Sequence, residues 1–177
     1  MRKLLGLIVA ITAATPAAAA LPVGARAPNF VTTGALAGKP FQLDLKRELR
    51  KGPVVLYFFP KAFTKGCTLE ARAFSEASAD FRKAGARVIG MSADDLPTLR
   101  RFSVDECRNA FPVATATPAT IKAYDVSMPL VGKLTNMANR TSYVIDRNGR
   151  IRFVHSELDW SEHVQKTLAA VRALNKR

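Results

Sequence analysis

Cysteine is nearly absent from this chain: Cys67 and Cys107 are the only two in 177 residues, and no CxxC pair occurs. Two thiols are too few for a disulfide scaffold, although in an oxidising compartment they could still pair with each other. Histidine is equally scarce. His155 and His163 have no metal-ligand spacing to each other or to a cysteine, which points to structural or surface roles. Acidic residues are few, 14 against 27 lysines and arginines, for a net charge of +13. The basic residues are scattered and mixed with acids, without a tract or a nucleic-acid motif, so a solvated basic surface and no nucleic-acid partner are expected. The Gly34–Lys39 stretch GALAGK lacks the spacing and the following Ser/Thr of a phosphate loop.

Apolar runs are short. The first, Leu4 to Ile11, follows Arg2 and Lys3 and leads into small residues ending at Ala18 and Ala20. It falls short of the ~20 residues a spanning helix needs and reads as a secretory signal peptide, residues 1–20, cleaved after Ala20. The expected product, residues 21–177, is one exported, periplasmic domain with no membrane association and a charge of +11 once Arg2 and Lys3 are removed. A domain of this size buries a core without disulfides.

Two alternating stretches between Phe30 and Leu45 predict a β-hairpin, and Val54 to Phe59, apolar throughout, predicts a central strand covered on both faces. Thr64 to Ala84 predicts a helix with its apolar stripe on Leu69, Ala73, Phe74, Ala77 and Phe81. A strand over 86–92, a helix over 94–109 capped by Asp94 or Asp95, a strand over 111–115 and a helix over 118–126 follow. A looser segment spans Ser127 to Asn139; Met128 and Met137 there are read as gap-fillers. A hairpin turning at Asn148-Gly149 and a closing amphipathic helix using Trp160, Val164, Leu168 and Val171 complete the chain. The order implies a three-layer α/β/α domain of thioredoxin-like fold, with a central mixed sheet and an N-terminal β-hairpin.

Cys67 stands where the buried strand gives way to a long helix. It could be a packed core residue, half of a disulfide, a metal ligand, a remnant redox group or a nucleophile. Its placement favours the last, because the unpaired N–H groups and positive dipole end of a helix's first turn stabilise a thiolate. Gly66 permits close approach to the backbone, Pro60 ends the strand and stiffens the loop, and Thr64 is placed to cap the helix or to reach whatever the sulfur attacks.

Pro60, Thr64 and Cys67 spell PxxxTxxC, and the string YFFPKAFTKGCTLEARAF resembles the active-site motif of the peroxiredoxins, most closely the bacterioferritin-comigratory or Q-type group. GMSADDLPTLRRF, FPVATATPATIKAYDV and RTSYVIDRNGRI continue the resemblance in the family's order. It implies a thiol-dependent peroxidase acting on hydrogen peroxide and small organic hydroperoxides, without metal or organic cofactor. Cys67 would become a sulfenic acid, Thr64 would bind the peroxide, Pro60 would screen the site, and Arg140 would hold the thiolate and the departing oxygen. Glu70 would orient Arg140 or cap the helix. The reductant would be a thioredoxin-like protein or a small thiol, and the expected assembly is a monomer or weak homodimer.

One departure matters. Many Q-type members carry a resolving cysteine five residues after the first, where this chain has Arg72. Either an external thiol reduces Cys67, or Cys107, read near the end of its helix, resolves it. Such a disulfide would require unwinding of the first turn of the Cys67 helix. Two other readings are an envelope thioredoxin-like disulfide oxidoreductase, which normally needs CxxC, and a non-catalytic thioredoxin-fold module.

Overall fold

The computed structural model describes residues 20–130 and 132–175; the signal-peptide reading falls almost wholly outside them. Among the described residues no helix is long and apolar enough to cross a membrane. Strands β1 (Val31–Leu36) and β2 (Lys39–Asp44) form the N-terminal hairpin. They are followed by α1 (Leu45–Leu49), β3 (Val54–Phe58), α2 (Lys65–Lys83), β4 (Arg87–Ser92), α3 (Leu96–Asp105), β5 (Val113–Thr115), α4 (Pro118–Ala123), α5 (Gly132–Thr135), β6 (Thr141–Ile145), β7 (Ile151–Ser156) and α6 (His163–Leu174). The strands make one mixed sheet in the order β2-β1-β5-β4-β3-β6-β7. β3 runs parallel to β4 and antiparallel to β6.

The unbroken apolar run of β3 is explained by its position: Val54, Leu56 and Phe58 enter one core while Val55, Tyr57 and Phe59 enter the other. The first core lies under α1 and α4, through Leu45, Leu49 and Ile121, and contains Tyr124 and Tyr143. The second lies under α2, α3 and α6, through Phe74, Phe81, Leu99, Phe102 and Val171, and contains both cysteines. Period-two alternation on a two-sided sheet produces these layers.

Two helix boundaries and one helix face differ from the sequence expectation. In α3, Asp95 alone caps, its carboxylate accepting from Thr98 N, and the helix stops at Asp105, leaving Cys107 in the following turn. Arg108 and Asn109 there take left-handed φ of 49° and 60°, which ends the helix. The last helix begins at His163, so Trp160 precedes it. The buried face of α2 is Cys67, Glu70, Ala71, Phe74, Ser78 and Phe81. It is turned away from Leu69 and Ala73 because Glu70 belongs to the interior. The β6–β7 connection closes on Gly149 at φ +75°, with Asp146 accepting from Asn148 N and Arg150 N at 2.9 Å each.

Candidate functional site

β3 delivers the chain to the site. Phe59 N donates to Met91 O at 2.9 Å, carrying the sheet one residue past β3, and half-buried Pro60 then turns the backbone. The loop from Lys61 to Thr64 is fastened by Asp94, whose Oδ2 accepts from Ala62 N at 2.8 Å and from Ser92 Oγ at 2.5 Å. Asp94 thus anchors the loop and caps nothing. Phe63 takes a left-handed φ of 63°, and its ring meets Phe102 edge-on at 5.3 Å. Such a conformation is uncommon for an aromatic residue and persists only where neighbours hold it.

Thr64 is the N-cap residue of α2 by backbone geometry but not by side chain: its hydroxyl donates to Lys61 O at 2.9 Å. With that proton committed, the exposed Oγ1 still offers lone pairs to an incoming O–H. Cys67 follows in the first turn, a residue 1% exposed.

Arg140 closes the site from the start of β6. Nη2 donates toward Cys67 Sγ at 3.5 Å, Nη1 donates to Glu70 Oε2, and Nε donates to Leu158 O at 2.8 Å. Although burial disfavours its charge, Glu70 and Cys67 more than offset this, and the guanidinium stays cationic. The approach depends on Gly66, where a Cβ would lie 3.1 Å from Arg140 Nη2 and 3.8 Å from Trp160 Cδ1.

Glu70 is wholly buried, which pushes its carboxyl up to about 8 against the pull of Arg140. Oε1 has no hydrogen-bond partner. Its neighbour is His163 Nδ1 at 3.7 Å. Nε2 of His163 faces the carbonyl of Glu157 at 3.0 Å, and a carbonyl only accepts, so the proton sits on Nε2. Burial pushes His163 down to about 4, so the ring is neutral, and its Nδ1 accepts from Ser142 Oγ at 2.8 Å. His163 therefore offers Glu70 Oε1 no proton, and nothing on that side favours the charged carboxylate over the neutral acid.

Cys67, Glu70 and Arg140 are thus brought together, with Thr64 and Pro60 on the approach. Cys107 is not joined to them: both cysteines are buried free thiols. Cys107 lies in the same apolar core as Cys67, and burial pushes its thiol well up. Arg72 pairs with Glu106 at 2.7 Å and Glu76 with Arg108 at 3.2 Å, so α2 grips the turn on both sides of Cys107. A cavity of about 430 Å³, lined in part by Phe81, Arg82 and Phe111, includes none of Cys67, Thr64 or Arg140. Asp94, Trp160 and His163 were not legible as site residues; only the last two are rare enough in the chain to have drawn notice.

Residues 23–154 match the AhpC/TSA family. The chain is a peroxiredoxin. It is 32% identical to peroxiredoxin Q, chloroplastic, of Oryza sativa subsp. japonica, over 96% of this chain and 82% of that one. Among solved structures, the peroxidoxin BcpB of Mycobacterium tuberculosis superposes with a TM-score of 0.73 at 32% identity, over 86% of this chain and 97% of that one. Peroxiredoxin Q of Xanthomonas campestris gives 0.68 at 27%, over 80% and 89%. This peroxiredoxin accordingly has the thioredoxin-like fold and is a thiol-dependent peroxidase.

Proposed function

We propose that this peroxiredoxin is exported to the cell envelope as residues 21–177, where it reduces hydrogen peroxide and small organic hydroperoxides. The observation that carries the site assignment is the fork of Arg140, which reaches Cys67 Sγ and Glu70 with separate nitrogens. The thiolate of Cys67 attacks one peroxide oxygen; the S–O bond forms as the O–O bond breaks. The departing oxygen leaves as alkoxide or hydroxide, stabilised by the guanidinium, and takes up one proton to become alcohol or water. Thr64 Oγ1 accepts a hydrogen bond from the incoming peroxide. Two equivalents of thiol, from a thioredoxin-like protein or a small thiol, then return the sulfenic acid to thiol with release of water and a disulfide. A cysteine residue only 1% exposed favours small oxidants. The working form is a monomer or weak homodimer.

Peroxide consumption by purified residues 21–177 with thioredoxin or glutathione tests this reading. Activity is expected with at least one donor and should vanish in Cys67→Ser. Insulin reduction without peroxide turnover would instead favour a disulfide oxidoreductase. Mass spectrometry of peroxide-treated protein distinguishes a Cys67–Cys107 disulfide from a lasting sulfenic acid.

A further inference from the structure

His155, dismissed on sequence spacing, is brought by β7 next to the segment that precedes α6. A ring nitrogen of His155 and one carboxylate oxygen each from Glu157 and Glu162 lie within 4.8 Å of one another. Both glutamates are exposed, whereas His155 is 92% buried, from a relative exposure of 8%. Its Nε2 is sealed from solvent without a hydrogen-bond partner, although the polar groups of a protein interior are nearly always satisfied. Its ring packs against that of His163, with centroids 4.5 Å apart and planes tilted by 56°.

We infer that His155, Glu157 and Glu162 bind a divalent first-row transition-metal ion of the zinc type. One imidazole and two carboxylates are borderline-to-hard donors that suit such an ion, with water completing the coordination. The carboxylates are on exposed side chains and can close on the ion around the buried imidazole. The built-in competitor is Lys166, whose ammonium pairs with Glu162 Oε2 at 2.6 Å and must be displaced.

The two glutamates bracket the segment 157–162. Inside it, Leu158 O accepts from Arg140 Nε and Trp160 lies beside Gly66. Metal at this position ties the two ends of the segment together and so steadies the carbonyl that aims Arg140. That consequence rests on the peroxidase reading; the binding does not. Protein that takes up zinc but consumes no peroxide would refute only the peroxidase reading.

Trp160, the only tryptophan, lies within the bracketed segment and serves as a reporter. The test is calorimetric titration of ZnCl₂ into EDTA-stripped protein, with Trp160 emission followed in parallel. One-to-one binding at about 10 µM or tighter is expected, with emission changing in step. Glu157→Gln/Glu162→Gln, on exposed side chains, should weaken it at least about tenfold, and Lys166→Ala should tighten it severalfold. Cobalt(II) should bind without a thiolate charge-transfer band. The proposal is overturned by the absence of saturable binding up to about 100 µM, by unchanged affinity in the double variant, by binding that leaves Trp160 emission unmoved, or by a cobalt–thiolate band.

Discussion

Each nitrogen of Arg140 has its own acceptor, in Leu158 O, Glu70 and Cys67. A lysine ammonium cannot reproduce that fork. Arg140→Lys should lower kcat/KM by about 10²-fold, read by stopped-flow peroxide reduction, and should also destabilise the fold by leaving Glu70 without its partner. Gly66→Ala separates stability from activity. Helix propensity favours alanine by up to about 1 kcal/mol, yet the new Cβ would press on Arg140 Nη2 at 3.1 Å. Because Glu70 and Leu158 pin the guanidinium, the variant should fold normally and lose activity, as compared by thermal melts and initial rates. For Glu70 the native carboxyl titrates at about 8 against an ordinary 4.5. Between those values the folded state binds more protons than the unfolded one, so this group's contribution is full below about pH 4.5 and is lost as pH rises through 8. Glu70→Gln should remove that decline, gaining on the order of 1–3 kcal/mol relative to wild type at pH 9 in urea titrations compared across pH.

At the scale of elements, α2 combines two tasks, holding Cys67 at its first turn and the Cys107 turn through Arg72 and Glu76. The residue at the position of the missing resolving thiol has become a tether on the other cysteine. Exposed pairs of this kind are worth about 0–1 kcal/mol each, enough to bias a local opening without preventing it. If Cys107 resolves Cys67, disulfide formation after peroxide, followed by mass spectrometry, should therefore speed up severalfold in Arg72→Ala and with rising salt. Equal rates in the variant and at high salt would show that the ion pairs do not gate the turn. The strand-to-helix junction at Cys67 was legible because an all-apolar strand followed by proline and a long amphipathic pattern has few other solutions. The end of α3 was not, because the left-handed Arg108 and Asn109 carry no glycine to mark the stop.

At the scale of the whole molecule, the first described residues already belong to the domain. Leu21 N donates to Tyr143 Oη at 3.1 Å, and Gly24 N and Ala27 N donate to Ile151 O and Gly149 O. Cleavage after Ala20 would thus leave an N-terminus seated on the β6–β7 hairpin. N-terminal sequencing of exported protein should begin at Leu21, and a product retaining residues 1–20 would refute the export reading. The sequence alone determined the layer order, the position of Cys67 at a helix start and the Pro60, Thr64, Cys67 spacing, since these depend on periodicity and local propensity. Only the tertiary structure decided which face of α2 is inside, that Asp94 holds the loop, that His163 offers Glu70 no proton, and that His155 meets Glu157 and Glu162. Most of these are contacts between residues far apart in sequence, and all depend on burial and distance that no local pattern encodes.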